Sequence, residues 1–114
     1  MAVFNGTAIS ESVYGGVTDD TVNGLAGDDL VNGGAGGIDT LFGGDGNDLL
    51  QVYSDDQAFG GIGDDIISIL GDQPAVLDGG ADYDTLRFEA NYDISGLTLT
   101  SIEQLNANSG ILTA

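Results

Sequence analysis

The chain has 114 residues, a length that suits a single domain, and sets 19 acidic side chains against one cation for a formal net charge of -18. It has neither cysteine nor histidine, which excludes disulfides, Cys/His zinc sites, thiol nucleophiles and histidine acid–base chemistry. With Arg87 its only cation, it is a poor partner for nucleic acid or an anionic membrane, because both demand positive charge.

Acidity of this degree often means disorder, but 41% of the residues are hydrophobic and the carboxylates recur in step with glycines. The first ten residues, MAVFNGTAIS, have no basic start and no long apolar run, so they do not read as an export signal. No stretch approaches the length of a membrane-spanning helix. From residue 6 the chain falls into units of about nine residues, with starts at 6, 15, 24, 33, 43, 52, 60, 69 and 79. The sixth place carries an acid in all but one: Glu11, Asp20, Asp29, Asp39, Asp48, Asp56, Asp65 and Asp84. Two places later an apolar residue recurs, as Val13, Val22, Val31, Leu41, Leu50, Ala58, Ile67, Leu77 and Leu86, and Phe4 extends the series backward. Alternation along a strand puts this eighth place inside and the seventh and ninth outside.

GGDGNDLLQ at 43 and GGIGDDIIS at 60 show the unit most clearly, and it resembles the RTX, or haemolysin-type, calcium-binding nonapeptide repeat, Gly-Gly-x-Gly-x-Asp-x-apolar-x. The likeness spans roughly residues 6 to 87. It implies an all-β fold, a right-handed parallel β-roll (a two-sheet β-solenoid), in which two units make one coil of about 18 residues. The glycine-rich half of each unit is then a turn and its last three residues a short strand. The residues favour this independently. Paired glycines allow a tight turn that exposes carbonyl oxygens. Acids repeating along one edge at the ~4.8 Å spacing of stacked strands repel unless a cation lies between them. Calcium, which takes 6–8 oxygens from carboxylates and carbonyls alike, suits that place, and its binding becomes folding energy.

The two edges of such a roll differ. Loops beginning at 6, 24, 43, 60 and 79, here called the even edge, all belong to nine-residue units, whereas the odd edge has every insertion and deletion and the degenerate sequences VYSDDQAF and ILGDQPAVLD. By resemblance, each calcium takes sixth-place acids and backbone carbonyls from loops one coil apart. On the even edge this pairs Asp29 with Asp48, Asp48 with Asp65 and Asp65 with Asp84. The loop residues are Gly24, Ala26 and Gly27; Gly43, Gly44, Asp45 and Gly46; Gly60, Gly61, Ile62 and Gly63; and Gly79, Gly80, Ala81 and Asp82. Leu25 and Asp82 stand where the pattern has glycine, and Glu11 lies in a loop lacking both, which weakens a Glu11–Asp29 site. On the odd edge Asp20 with Asp39, and more weakly Asp39 with Asp56, complete an expected three to five or so ions.

Residues 88–114 lose the glycine rhythm and read as a C-terminal cap, with a type I secretion signal as the rival reading; residues 1–87 are the roll. Apolar residues recur there at Ile94, Leu97, Leu99, Ile102 and Leu105, while Glu89, Asp93 and Glu103 read as structural or solvating. DGNDLLQVYSDD is not an EF-hand, since Leu50 stands where that loop needs glycine and no glutamate closes it. No Walker loop and no catalytic constellation is present. Leu30, Leu49 and Ile66 in the seventh place form an outward apolar ladder, an interface for self-association or a place that simply favours β-formers, with Phe42 and Phe59 a similar pair opposite. The resemblance implies a non-catalytic calcium-dependent folding module of a secreted or cell-surface bacterial protein, exported by a type I system. The alternative is a structural or adhesive stacking unit.

Overall fold

A computed structural model describes residues 2–34, 36–53, 55–70, 76–88 and 97–107. Each of the nine repeat units contributes one short strand, with one strand before them and two more after: β1 (Ala2–Asn5), β2 (Ser12–Tyr14), β3 (Asp20–Asn23), β4 (Leu30–Asn32), β5 (Thr40–Asp45) and β6 (Leu49–Val52). The series continues with β7 (Gln57–Ile62), β8 (Ile66–Ile69), β9 (Val76–Asp78), β10 (Thr85–Phe88), β11 (Leu99–Thr100) and β12 (Gln104–Ala107). The odd-numbered strands form one six-stranded sheet in the order β1-β3-β5-β7-β9-β11, and the even-numbered strands form the other. Every pairing is parallel.

Consecutive strands thus lie in opposite sheets, and the chain winds as a β-solenoid of about five turns with no helix among the described residues. Partners such as Leu30, Leu49, Ile66 and Thr85 succeed one another at the 17–19-residue spacing expected of two units per coil. The Leu77↔Leu99 step, which crosses residues outside the described set, takes 22.

The core is the stack of eighth-place side chains between the sheets. Val13, Val22, Val31, Leu41, Leu50, Ala58, Ile67, Leu77 and Leu86 are all buried, and Phe4 packs half-buried against them. Asn32 and Ser68, in the ninth place expected outside, are buried, and three buried hydrophobic residues were also not anticipated: Val52, Ile69 and Phe88. Each lies two places after an eighth-place residue, so alternation turns it inward as well. In the earlier coils Gly15 and Gly33 hold that place. The degenerate odd-edge units have therefore exchanged their leading glycine for core.

The glycine-rich halves are also more strand-like than expected. β5 and β7 run on through their glycine pairs, with Gly44↔Gly61 and Asp45↔Ile62 in register, and Ala26 bridges Asp45. At the C-terminal end Leu97, Leu99 and Ile102 lie half-buried on the core, and β11 and β12 each add a strand to their sheets. Glu89, Asp93, Ile94, the Ser95-Gly96 turn and most of the odd-edge unit after Leu70 fall outside the described residues.

Candidate metal centres

Each sixth-place aspartate stands just before its strand, or at its first residue for Asp20, where the seventh and eighth residues begin to pair and the side chain is drawn under the loop. Asp20, Asp29, Asp39, Asp48, Asp56, Asp65 and Asp84 are all buried, none more than 3% exposed. One carboxylate oxygen of each is spoken for in the same way: Oδ1 accepts the N–H of the acid-place residue one coil earlier. On the even edge Glu11 N–H donates to Asp29 at 3.0 Å, and Asp29, Asp48 and Asp65 N–H donate to Asp48, Asp65 and Asp84, each at 2.8 Å. On the odd edge Ala2 N–H donates to Asp20 at 3.0 Å, Asp20 to Asp39 at 2.8 Å and Asp39 to Asp56 at 2.9 Å. The acid pairs read from the spacing are thus neighbours along each edge.

The second oxygen separates the edges. On the even edge Oδ2 of Asp29, Asp48, Asp65 and Asp84 is buried without a hydrogen-bond partner. On the odd edge only Asp39 shares that condition. Asp20 Oδ2 accepts Gly16 N–H at 2.7 Å, with Thr18 Oγ1 on its other oxygen at 3.0 Å, and Asp56 Oδ2 accepts Tyr53 N–H at 2.8 Å. Glu11, half-buried, accepts the N–H and, at 2.8 Å, the Oγ1 of Thr7 through Oε1. A buried carboxylate oxygen with no donor is costly, because desolvation is uncompensated.

The acidities follow the same division. Burial, helped by neighbouring carboxylates, pushes Asp39 and Asp48 up to about 6 and Asp65 up to about 7. It raises Asp29 and Asp84 as well, whereas the Gly16 N–H bond pulls Asp20 down. Ionising the even-edge acids together in the bare fold is therefore unfavourable.

What faces the orphaned oxygens is a bare glycine Cα. A Cβ on Gly43 would lie 2.6 Å from Asp48 Oδ2 and 2.5 Å from the carbonyl oxygen of Gly60 in the next coil. On Gly24 it would lie 2.8 Å from Asp29 Oδ2 and 2.6 Å from Gly43 O. On Gly60 it would meet Asp65 Oδ2 at 2.5 Å and Gly79 O. A carboxylate oxygen and a main-chain carbonyl oxygen thus converge at each step with no hydrogen to share, and a hard cation fits that donor set.

The rest of each loop is held by backbone bonds. Asp45 N–H reaches Leu25 O at 2.9 Å, Gly46 N–H reaches Ile62 O at 2.9 Å and Ala81 N–H reaches Gly61 O at 3.0 Å. The second and fourth loop places need left-handed backbone: Gly44 and Gly61 have φ of 94° and 95°, Gly46 and Gly63 113° and 119°, and Gly27 and Gly80 behave alike. The two departures from the pattern obey the same geometry, Leu25 at 73° and Asp82 at 72°. On the outer rim Asp28, Asn47 and Asp64 make a second ladder, accepting the N–H of Asn47, Asp64 and Tyr83 at 2.8–2.9 Å. Among the described residues no three acid, His or Cys side chains gather as a cage. Any ion here would draw mainly on carbonyls with one or two carboxylates.

The profile of the RTX calcium-binding nonapeptide repeat (4 copies) matches residues 5–37 and 34–67, more than half of the chain. The chain belongs to the RTX calcium-binding repeat family. Neither a curated protein nor a solved structure matches it. At the level the family carries, this RTX chain is a calcium-binding structural repeat module. Bound calcium supplies a divalent charge that neutralises carboxylates and accepts oxygen donors from both sides. In this fold the chain holds Oδ1 of Asp29, Asp39, Asp48, Asp65 and Asp84 in the ladder and leaves their Oδ2 without a hydrogen-bond partner.

The matched stretch stops at residue 67, yet Asp84 beyond it repeats the same arrangement. Glu103, which has no repeat signature in the sequence, continues the ladder by accepting Asp84 N–H on Oε1 at 2.7 Å. Its distance of 19 residues from Asp84, equal to that between Asp65 and Asp84, is the signal that could have found it.

Proposed function

We propose that this RTX chain is a non-catalytic module that calcium folds, and that its principal ions sit along the even edge. The observation that carries this is the run of four consecutive aspartates, Asp29, Asp48, Asp65 and Asp84, whose buried Oδ2 atoms have no partner and face a glycine Cα. Three ions serve the pairs Asp29–Asp48, Asp48–Asp65 and Asp65–Asp84. Asp39 supports a weaker odd-edge site with Asp20 or Asp56, and Glu11 supplies at most a marginal one with Asp29. The loop residues assigned to these sites from the sequence remain the assigned donors, chiefly through main-chain carbonyls.

The boundary after residue 87 marks where the glycine rhythm ends, and residues 88–114 serve as the cap of the roll; the terminal positions of β11 and β12 support this. With -18 formal charges and orphaned buried carboxylates, the calcium-free chain is expected to be largely disordered. Such a chain suits a secreted or cell-surface bacterial protein that leaves a low-calcium cytosol by type I export and folds outside. The test is far-UV circular dichroism in EDTA, then in rising calcium or magnesium. β-structure should appear with calcium and poorly with magnesium, which demands strict octahedral geometry. An unchanged spectrum on adding calcium would remove the proposal.

The second reading, a stacking or adhesive unit, draws on the outward faces. Leu30, Leu49 and Ile66 lie in register on one sheet. On the other Phe42 and Phe59 stack with centroids 5.2 Å apart. Calcium-dependent self-association in ultracentrifugation would favour it.

A further inference from the structure

The even edge has one more step than the repeats that define it. Asp84 is fully buried, its Oδ1 accepts Asp65 N–H, and its Oδ2 has no partner. That oxygen faces Gly79, where a Cβ would lie 2.6 Å from Asp84 Oδ2 and against the carbonyl oxygen of Ser101. The arrangement is the one at Gly43, with Ser101 O in the part that Gly60 O plays there. Ser101 reaches it in left-handed backbone at φ 53°, outside any glycine motif. Two residues on, the exposed Glu103 accepts Asp84 N–H at 2.7 Å, as Asp84 accepts that of Asp65. Main-chain bonds close the step, with Gly79 N–H donating to Thr100 O at 2.9 Å and Glu103 N–H to Asp84 O at 3.0 Å.

We propose that Asp84, the Ser101 carbonyl and Glu103 hold a further calcium ion, and that the C-terminal segment docks on the roll through it. The proposal rests on calcium being the ion of the even edge. Three features single out this place. Asp84 Oδ2 is an unpartnered oxygen on a side chain with no exposure, aimed at a carbonyl that also has no hydrogen to offer it. Glu103 adds a second carboxylate to the site, on a side chain one methylene longer that approaches from the solvent side. Beyond Glu103 the chain enters β12, which pairs with β10, while β11 just before Ser101 pairs with β9. An ion here therefore ties both strands of the terminal coil to the repeats, so cap docking and metal binding become one event.

The experiment counts ions on the full chain by native mass spectrometry at saturating calcium, with calorimetric titration for affinity and hydrogen exchange over residues 97–107. Glu103→Gln keeps an oxygen acceptor for Asp84 N–H and removes the charge. It should bind one ion fewer, leave the affinities of the other ions unchanged, and speed exchange in 97–107. The same ion count and midpoint as the unaltered chain would overturn the proposal, Asp84 then sharing a proton with Ser101 O instead. Should Glu103→Gln not fold, Glu103→Asp is read in its place. It should keep the count but weaken one ion by about 10–100-fold, and an undiminished affinity would overturn the proposal. An unaltered chain that binds no calcium would sink the calcium reading itself, a result distinct from either.

Discussion

Replacing Asp65 by asparagine should make the protein more stable without calcium and less stable with it. Asp65 Oδ1 accepts Asp48 N–H at 2.8 Å, and asparagine keeps that acceptor. Its Oδ2, partnerless and facing Gly79 O across Gly60, would become an amide nitrogen able to donate where two oxygens now oppose each other. Burial lifts the Asp65 carboxyl from 3.8 to about 7. That shift corresponds to at most about 4 kcal/mol against the ionised fold above pH 7, and solvent screening at the roll's edge reduces it to roughly 2 kcal/mol. Asp65→Asn should recover about that much in EDTA, read as a lower osmolyte concentration at the refolding midpoint. In calcium the same change damages both sites proposed for Asp65 and should raise the calcium midpoint about 10–100-fold.

The folding curves of the two proteins should therefore cross as calcium rises. Asp56→Asn is the control. Its Oδ2 already accepts Tyr53 N–H, so an amide there sets donor against donor and should cost about 1–3 kcal/mol with or without calcium. An Asp65→Asn protein that is less stable than the parent in EDTA would refute the claim that the buried charge opposes the metal-free fold.

Three further outcomes are expected. In EDTA, folded-state carboxyl pKa values up to about 7 exceed the unfolded 3.8, so the folded chain binds more protons across that window and stability falls as pH rises through it. Acidifying the calcium-free protein should increase its β-structure, with the lowered Asp20 opposing, while in calcium the midpoint should rise on acidification because protons compete with the ion. Leu25→Gly relieves a leucine held at φ 73° and should stabilise the calcium-bound protein by about 1 kcal/mol in urea unfolding, a larger gain than Asp82→Gly, which also loses the bond from Gly63 N–H. Gly60→Ala drives a methyl against Gly79 O and Asp65 Oδ2 and should cost about 1–3 kcal/mol and weaken calcium binding, seen in thermal melts and titration.

Most of the architecture could be read from two periodicities, the acid in the sixth place and the apolar residue in the eighth. Together they locate the core from Val13 to Leu86 and the coil-to-coil pairing of Asp29, Asp48 and Asp65. The added core at Val52, Ile69 and Phe88 was hidden because those residues sit where the repeat expects glycine. Reading them as degeneracy concealed their inward direction. Length changes pointed to unequal edges, but the physical difference is local. Gly16 and Tyr53 N–H groups satisfy the second oxygens of Asp20 and Asp56, and no spacing rule announces a backbone amide turned toward a side chain. Glu103 escaped for a related reason. Its neighbours Ser101 and Ile102 lack the glycines that advertise a loop, and only the strands on either side bring it beneath Asp84.

The most direct test of the account is to locate the ions in crystals grown in calcium, using the calcium anomalous signal. A file of strong peaks is predicted along the even edge beside the Oδ2 atoms of Asp29, Asp48, Asp65 and Asp84, with at most a weaker peak on the odd edge beside Asp39 Oδ2, because backbone N–H groups already donate to Asp20 Oδ2 and Asp56 Oδ2. Peaks of equal strength beside Asp20 and Asp56, or no peak beside Asp48 and Asp65, would contradict it.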